Sequence, residues 1–341
     1  MRINQNRSNP ILNKTAQTLI TSAFNNKPNM KMTIGVLNDG QASYKLFDAT
    51  GEIPYKSYTY EIGSAGKTLT TSLLAKYVAS GAMALDDSVA KYIPELGRDR
   101  YFPTLRRLAT HTAGYPVHLP MSRQEMEMVL SYQSLKKPIS GMKLLEMDFD
   151  KMIATAKGET LTDRDYEWQY SNLGMALLGC AVGRAAGTSF ADAMAKFITE
   201  DLKLPSTCAG NGGGDLLAGY DVQHRHVGNM NLDAGNYITP AGNFTSCARD
   251  MLEFARLNAY EEINCLKLCH QRHDVNAPGH DMGLGWWIDP SRPSVYYHSG
   301  NTDGFASMIA FDKQKKNAVV ILTNVQDYDE REELFMEVLN G

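Results

Sequence analysis

A serine and a lysine three residues apart, in Ser64-Ala65-Gly66-Lys67, open a strongly helical stretch and could together carry out nucleophilic chemistry. Residues i and i+3 share one face of a helix, which brings the Lys67 amine within hydrogen-bond reach of the Ser64 hydroxyl. An ordinary lysine, with a pKa of about 10.4, holds its proton too tightly to serve as a base at neutral pH. Lys67 therefore needs burial or a neighbouring cation to become a proton acceptor. At a helix entrance, unpaired backbone N–H groups beside Ser64 also favour a developing oxyanion. Two fixed positions in four recur in many helices, so the pattern needs support from elsewhere in the chain. A rival reading is a phosphate-binding loop, because Gly66-Lys67-Thr68 ends as such a loop does. The first glycine of that pattern falls on Glu61, whose carboxylate repels phosphate, so the nucleotide reading is set aside.

Two later stretches supply polar groups at element ends. Tyr170-Ser171-Asn172 precedes an apolar helix expected over Gly174 to Ala186, with Ser171 or Asn172 as its cap, so that a tyrosine and an amide project from a helix entrance. His298-Ser299-Gly300-Asn301 follows the aromatic strand Val295-Tyr296-Tyr297, where Gly300 is expected to let a substrate backbone approach the strand edge. In isolation Tyr170 reads as a structural tyrosine, Asn172 as a helix cap and His298 as a strand-end histidine.

The elements that must position these groups follow from periodicity. Pro10 to Asn26 repeats apolar residues at helical spacing. Met32 to Leu37 and Ser43 to Phe47 read as strands joined by the hairpin turn Asn38-Asp39-Gly40. The nucleophile helix is expected from Ser64 to about Ser80. From Asp86 to Leu257 the pattern is mostly helical, and strands return at Gly285 to Ile288, Val295 to His298, Phe305 to Phe311 and Ala318 to Thr323, before a closing helix over Arg331 to Leu339. The expected fold is α/β of the α+β type: one antiparallel sheet built from both chain ends, flanked by terminal helices, with an inserted helical lobe. Residues 1–341 are read as one domain, with a sheet lobe over about 1–63 and 281–341, a helical lobe over about 64–280, and a cleft between them.

The three motifs, in this order, resemble the active-site motifs of the serine β-lactamase and penicillin-binding protein superfamily, in its class C β-lactamase, DD-peptidase and esterase branch. The resemblance extends to Tyr60 to Ser64, Leu85 to Pro94, Leu108 to Gly114, Pro240 to Gly242, Ser246 to Asp250 and Gly283 to Trp286, and so spans roughly Met32 to Thr323. It implies acyl transfer: Ser64 attacks a carbonyl, Lys67 and Tyr170 shuttle its proton, and an acyl-enzyme is hydrolysed. It further implies that Asn172 holds a substrate amide, that the N–H groups of Ser64 and Asn301 form an oxyanion hole, and that His298, Ser299 and Gly300 complete the substrate site. No metal or cofactor is implied. A D-amino-acid peptidase and a carboxylesterase are the readings within that class; a catalytically weak penicillin-binding or scaffold protein is the alternative.

His298 stands where β-lactamases of the family usually carry lysine. A histidine is mostly neutral at pH 7, so neutral esters or amides are expected to be preferred, with carboxylates bound better as the pH falls toward 6. Asp165 to Gln169 also lacks the Pro-Gly turn common in relatives. Six methionines between Met121 and Met152 read as packing residues or an adaptable apolar lid.

Composition narrows the partners. The chain has 341 residues, 34 basic against 38 acidic, and a net charge of -4, which gives no electrostatic reason to expect nucleic acid; a small molecule or peptide is the expected ligand. The N-terminus lacks the apolar stretch of a signal peptide, and the five scattered cysteines suit free thiols, so a cytoplasmic location is expected, or an extracytoplasmic one if a leader has been removed. Cys265, Cys269, His270, His273 and His280 have zinc-type chemistry but no familiar zinc spacing, so no metal is expected there. Oligomeric state is not legible.

Overall fold

The computed structural model describes residues 12–116, 147–210, 212, 214–227, 229–230, 233–275, 277–326 and 330–340. Helix α1 (Lys14–Ala23) leads into strands β1 (Met32–Asn38), β2 (Gln41–Asp48), β3 (Gly51–Ile53) and β4 (Thr59–Glu61). Helices α2 (Lys67–Ala79), α3 (Leu105–Ala109), α4 (Phe149–Gly158), α5 (Asn172–Ala186) and α6 (Phe190–Lys196) follow, then β5 (Cys208–Ala209) and β6 (Phe244–Cys247). Helices α7 (Ala248–Tyr260) and α8 (Leu266–Cys269) precede β7 (Asp281–Met282), β8 (Trp287–Asp289), β9 (Arg292–Asn301), β10 (Ala306–Asp312), β11 (Asn317–Thr323) and the final helix α9 (Arg331–Asn340).

Eight strands form one sheet in the order β3-β2-β1-β11-β10-β9-β8-β7, every neighbouring pair antiparallel. β1 lies against β11 with Ile34 opposite Ile321, which joins the two ends of the chain at the middle of the sheet. The β1–β2 hairpin turns where expected: Asp39 and Gly40 both adopt positive φ (47° and 73°), as a two-residue turn matched to strand twist requires.

Side-chain alternation gives this sheet two buried faces. Met32, Ile34, Val319 and Ile321 pack with Ile20, Leu334 and Phe335 of the terminal helices α1 and α9. Val320, Leu322, Ile309 and Phe311 face the other way, onto α7 and the helical part of the chain. A second sheet, β4-β6-β5, holds the segment that leads into Ser64. The first helix is shorter than the periodicity suggests, because Asn13 caps it by accepting from the Ala16 N–H (2.9 Å) and the chain turns after Phe24. Four of the six methionines between Met121 and Met152 lie outside the described residues; Met147 and Met152 are buried in the core. Among the described residues no single helix is long and apolar enough to cross a bilayer.

Candidate active site

Ser64 lies in a 3-10 turn, Gly63–Gly66, and α2 begins only at Lys67. The sequence places Ser64 within the α-helix itself; the tighter turn arises where the backbone is pressed onto β9. Gly63 has φ +51°, and a Cβ there would lie 2.7 Å from the Asn301 carbonyl oxygen and 2.8 Å from its nitrogen. Only glycine fits, and its close approach sets Ser64 beside the Asn301 peptide.

Lys67 is fully buried, and its Nζ stands 3.0 Å from Ser64 Oγ while also donating to the Ala241 carbonyl. Burial, by desolvating the cation, holds its pKa well below the usual lysine value. The turn that carries Ala241 is tied down independently by Thr70, whose hydroxyl donates to the Pro240 carbonyl at 2.8 Å. On the other side the Lys67 Nζ sits 4.6 Å from the centre of the Tyr170 ring, and the Tyr170 phenol is hydrogen-bonded to Ser64. Desolvation raises the Tyr170 pKa above the ordinary tyrosine value, so the phenol stays protonated at neutral pH.

Tyr170 and Asn172 reach the site because Ser171 caps α5. Its hydroxyl accepts from the Gly174 N–H (3.0 Å), and its own N–H donates to His111 Nδ1 (3.2 Å). That bond holds His111 through Nδ1, and its ring also lies 4.6 Å from that of Tyr170. Ser64, Asn172 and Asn301 line one open pocket together with Ala241 and Gly242.

The third motif adds to expectation at Gly300 and departs from it at His298. At Gly300 the protein's own backbone makes a close approach: a Cβ there would lie 2.0 Å from the Ile62 carbonyl oxygen and 2.9 Å from the Ala65 nitrogen. The close-approaching backbone is the protein's own nucleophile segment, crossing the end of β9. Gly300→Ala is therefore expected to cost about 1–3 kcal/mol, the range for forcing extra volume into packed structure. Urea denaturation measures this, and an unchanged midpoint would show that the Ile62 segment yields freely.

His298, in turn, does not gain charge near pH 6. It is buried, and desolvation together with the neighbouring Lys67 amine pushes its pKa down to about 3. Its Nδ1 donates to the Ser299 carbonyl at 2.5 Å, and its ring stacks on Trp287 at 4.4 Å with planes 20° apart. Strand alternation puts Ser299 on the opposite face of β9 from His298, so these two side chains are not brought together. Strand β8 pairs with β9 up to Tyr297, and residues 298–301 continue beyond the last pair, leaving that edge open beside Ser64.

Several participants were not legible in the sequence. The Ala241 carbonyl is a backbone group, and Trp168, His280 and Trp287 come from three separate segments to meet His298 and His111. Arg331, at the start of α9, reaches the Asn301 side chain on the far face of β9 and places a cation at the end of that strand. The cysteine and histidine group scatters. His270 is held by Glu261 and Asn258, both at 3.0 Å, Cys269 points to the Thr71 carbonyl, and His280 joins the tryptophans. Among the described residues no three His, Cys, Asp or Glu side chains gather around a point fit for a metal ion.

A buried lysine beside a serine, set against a sheet built from both chain ends, is an arrangement that defines the β-lactamase-like serine hydrolases. The model of the Beta-lactamase family matches residues 27–340, and the chain belongs to that family. A beta-lactamase of Providencia stuartii is 27% identical over 343 residues, covering 87% of this chain and 82% of the relative. The D-alanyl-D-alanine-carboxypeptidase/endopeptidase AmpH of Escherichia coli K12 is 24% identical, covering 86% and 79%. Among solved structures, a beta-lactamase/D-alanine carboxypeptidase from Pseudomonas syringae superposes with a TM-score of 0.77 at 21% identity, over 95% of this chain and 97% of the other.

Proposed function

We propose that the chain hydrolyses an ester or amide through an acyl-enzyme formed on Ser64. The observation that carries this reading is the buried, deprotonation-prone Lys67 amine 3.0 Å from Ser64 Oγ, with the Tyr170 phenol bonded to the same hydroxyl. Neutral Lys67 accepts the Ser64 proton as Oγ attacks the substrate carbonyl, and Tyr170 relays it to the leaving group. The N–H groups of Ser64 and Asn301 receive the oxyanion, and Asn172, on the same pocket wall, orients a substrate amide. Water then attacks the acyl-enzyme by the reverse proton path.

The substrate is a small ester, amide or peptide, of the D-amino-acid peptidase or carboxylesterase type. The names carried by relatives, beta-lactamase and D-alanyl-D-alanine-carboxypeptidase, are consistent with this class. Efficient β-lactam hydrolysis is not proposed, because a neutral His298 replaces the cation that would meet the β-lactam carboxylate. Five free cysteines fit work in a reducing compartment.

Intact mass after exposure to a fluorophosphonate tests the reading. One adduct, mapped to Ser64, is expected, followed by turnover in a panel of p-nitrophenyl esters and D-aminoacyl anilides. No adduct under conditions that label a control serine hydrolase supports the alternative, a catalytically weak penicillin-binding protein of the same fold.

A further inference from the structure

Glu61 ends strand β4, three residues before Ser64, and is only 4% exposed. Side chains alternate along that strand: Tyr60 turns into the core, its hydroxyl 2.7 Å from that of Thr33, and Glu61 points to the opposite face. There its carboxylate accepts the backbone N–H of Met230 at 2.6 Å and a hydrogen bond from the Thr302 hydroxyl. A carboxylate carries only acceptor sites, so it can satisfy an N–H and an O–H together. One side chain thereby joins three stretches that border the nucleophile: its own strand, which runs on to Gly63 and Ser64, the residue after Asn301, and the segment that carries Met230.

Met230 in turn lies on the wall of the pocket at Ser64. That pocket spans about 380 Å³ with its open mouth. Asn172, Asn243 and Asn301 give it polar edges, and its large apolar side chains are Met230 and Ile238. The two are held differently. Ile238 is 4% exposed, and its N–H donates to the Asn236 side chain at 3.0 Å as it leads into the 3-10 turn Thr239–Ala241. Met230 is half-buried and belongs to no helix or strand, so no ladder or helical bond fixes its backbone. Its thioether side chain is unbranched and fills whatever space its backbone leaves. The bond from its N–H to Glu61 therefore governs how far it reaches across the pocket.

We propose that Glu61 is a positioning residue that acts through Met230: by fixing the Met230 backbone it sets the length of the acyl group that the Ser64 pocket accepts. The inference rests on the acyl-enzyme reading of Ser64 and adds what bounds its acyl side. A chain carried on Ser64 Oγ extends until it meets the Met230 and Ile238 side chains, and a longer one must displace Met230 or stay out.

The test is the profile of kcat/KM over the p-nitrophenyl esters of acetate, butyrate, hexanoate and octanoate. Wild type is expected to show a drop of at least tenfold at one step, since each methylene in an apolar pocket carries about that discrimination. Met230→Ala should move the drop to a longer ester. Glu61→Leu, which leaves the Met230 N–H without its acceptor, should blunt it to about twofold, with acetate, too short to fill the pocket, little changed. Glu61→Gln keeps an acceptor oxygen and should restore the wild-type profile. In the Met230→Ala background Glu61→Leu should have no further effect on the profile, because the side chain it acts through is gone. Should Glu61→Leu fail to fold, hydrogen exchange of the Met230 amide in wild type decides: slow exchange upholds the tether, and exchange at the free-chain rate overturns it. Fluorophosphonate labelling of Ser64 is followed in parallel, so failure of the nucleophile is seen separately. A labelled wild type that hydrolyses none of the esters or shows no drop, a Met230→Ala profile like that of wild type, a Glu61→Leu loss equal for all four esters, or additive effects in the double variant overturns the proposal.

Discussion

Ser64→Ala is expected to abolish turnover and fluorophosphonate labelling while leaving the melting temperature within a few degrees of wild type. The hydroxyl is the point where the Lys67 amine and the Tyr170 phenol converge, so its loss removes the group to be acylated. Its contribution to stability is small, because Lys67 keeps its bond to the Ala241 carbonyl and no cavity larger than an oxygen is made. Tyr170→Phe and Lys67→Ala should each lower the rate by about 10² to 10⁴, the range for a positioned proton-transfer group. If they serve one proton path, the double variant should be little worse than either single one. Lys67→Ala has a further cost of about 1–3 kcal/mol, because it leaves the buried Ala241 carbonyl without its donor. Stopped assays with a p-nitrophenyl ester, corrected for the background rate, separate these outcomes. Ser64→Ala retaining more than a few per cent of the activity would falsify the assignment of Ser64 as nucleophile.

The pH dependence of the rate follows from the same burial. Lys67 works as a base only when neutral, and its pKa is depressed, so activity should already be present at neutral pH and fall on the acid side as the amine gains its proton. Tyr170 adds no alkaline limb in the ordinary working range, because its pKa is raised.

The parts of this architecture that local chemistry dictates are legible in the chain. Asp39-Gly40 can only turn a hairpin of that hand, and the alternation in β10 and β11 returns two strands to the sheet started by β1. Ser64 and Lys67 are three residues apart, so their proximity is a local fact. What the sequence conceals is long-range juxtaposition. Trp168, His280 and Trp287 lie on three segments with no shared periodicity, and no spacing rule predicts that their rings meet. Gly300 has a related limit: the residue type shows that a close approach is permitted, but not that the Ile62 backbone makes one. His298 shows the same limit in electrostatics. Its residue type suggests titration near pH 6, and only burial against Trp287 and Lys67 removes it from that range.

That burial leads to a second large effect, on stability in mild acid. His111, His270 and His298 are each at most 5% exposed, and desolvation lowers all three pKa values, to about 4 for His270 and about 3 for His298. In the unfolded chain each would titrate near 6.5. Below that pH the unfolded state binds protons that the folded state refuses, so stability falls as the pH falls through 6.5 and goes on falling toward the folded pKa values. At pH 5 His270 and His298 each cost about 2 kcal/mol, being roughly 1.5 pH units at 1.36 kcal/mol per unit. Those two groups would together remove about 4 kcal/mol, a large share of the stability of an ordinary domain, and His111 adds in the same direction. Glu61 and Asp250 oppose the trend, because burial raises their pKa values and protonation relieves them. Urea denaturation at pH 7.5, 6.5, 5.5 and 5.0 should therefore show a midpoint that drops steeply below 6.5. His270→Gln, which lies outside the cleft between Glu261 and Asn258, should flatten the slope without changing the rate constants at pH 7.5. A midpoint that stays level from pH 7.5 to 5.0 would mean that these imidazoles accept protons in the folded state.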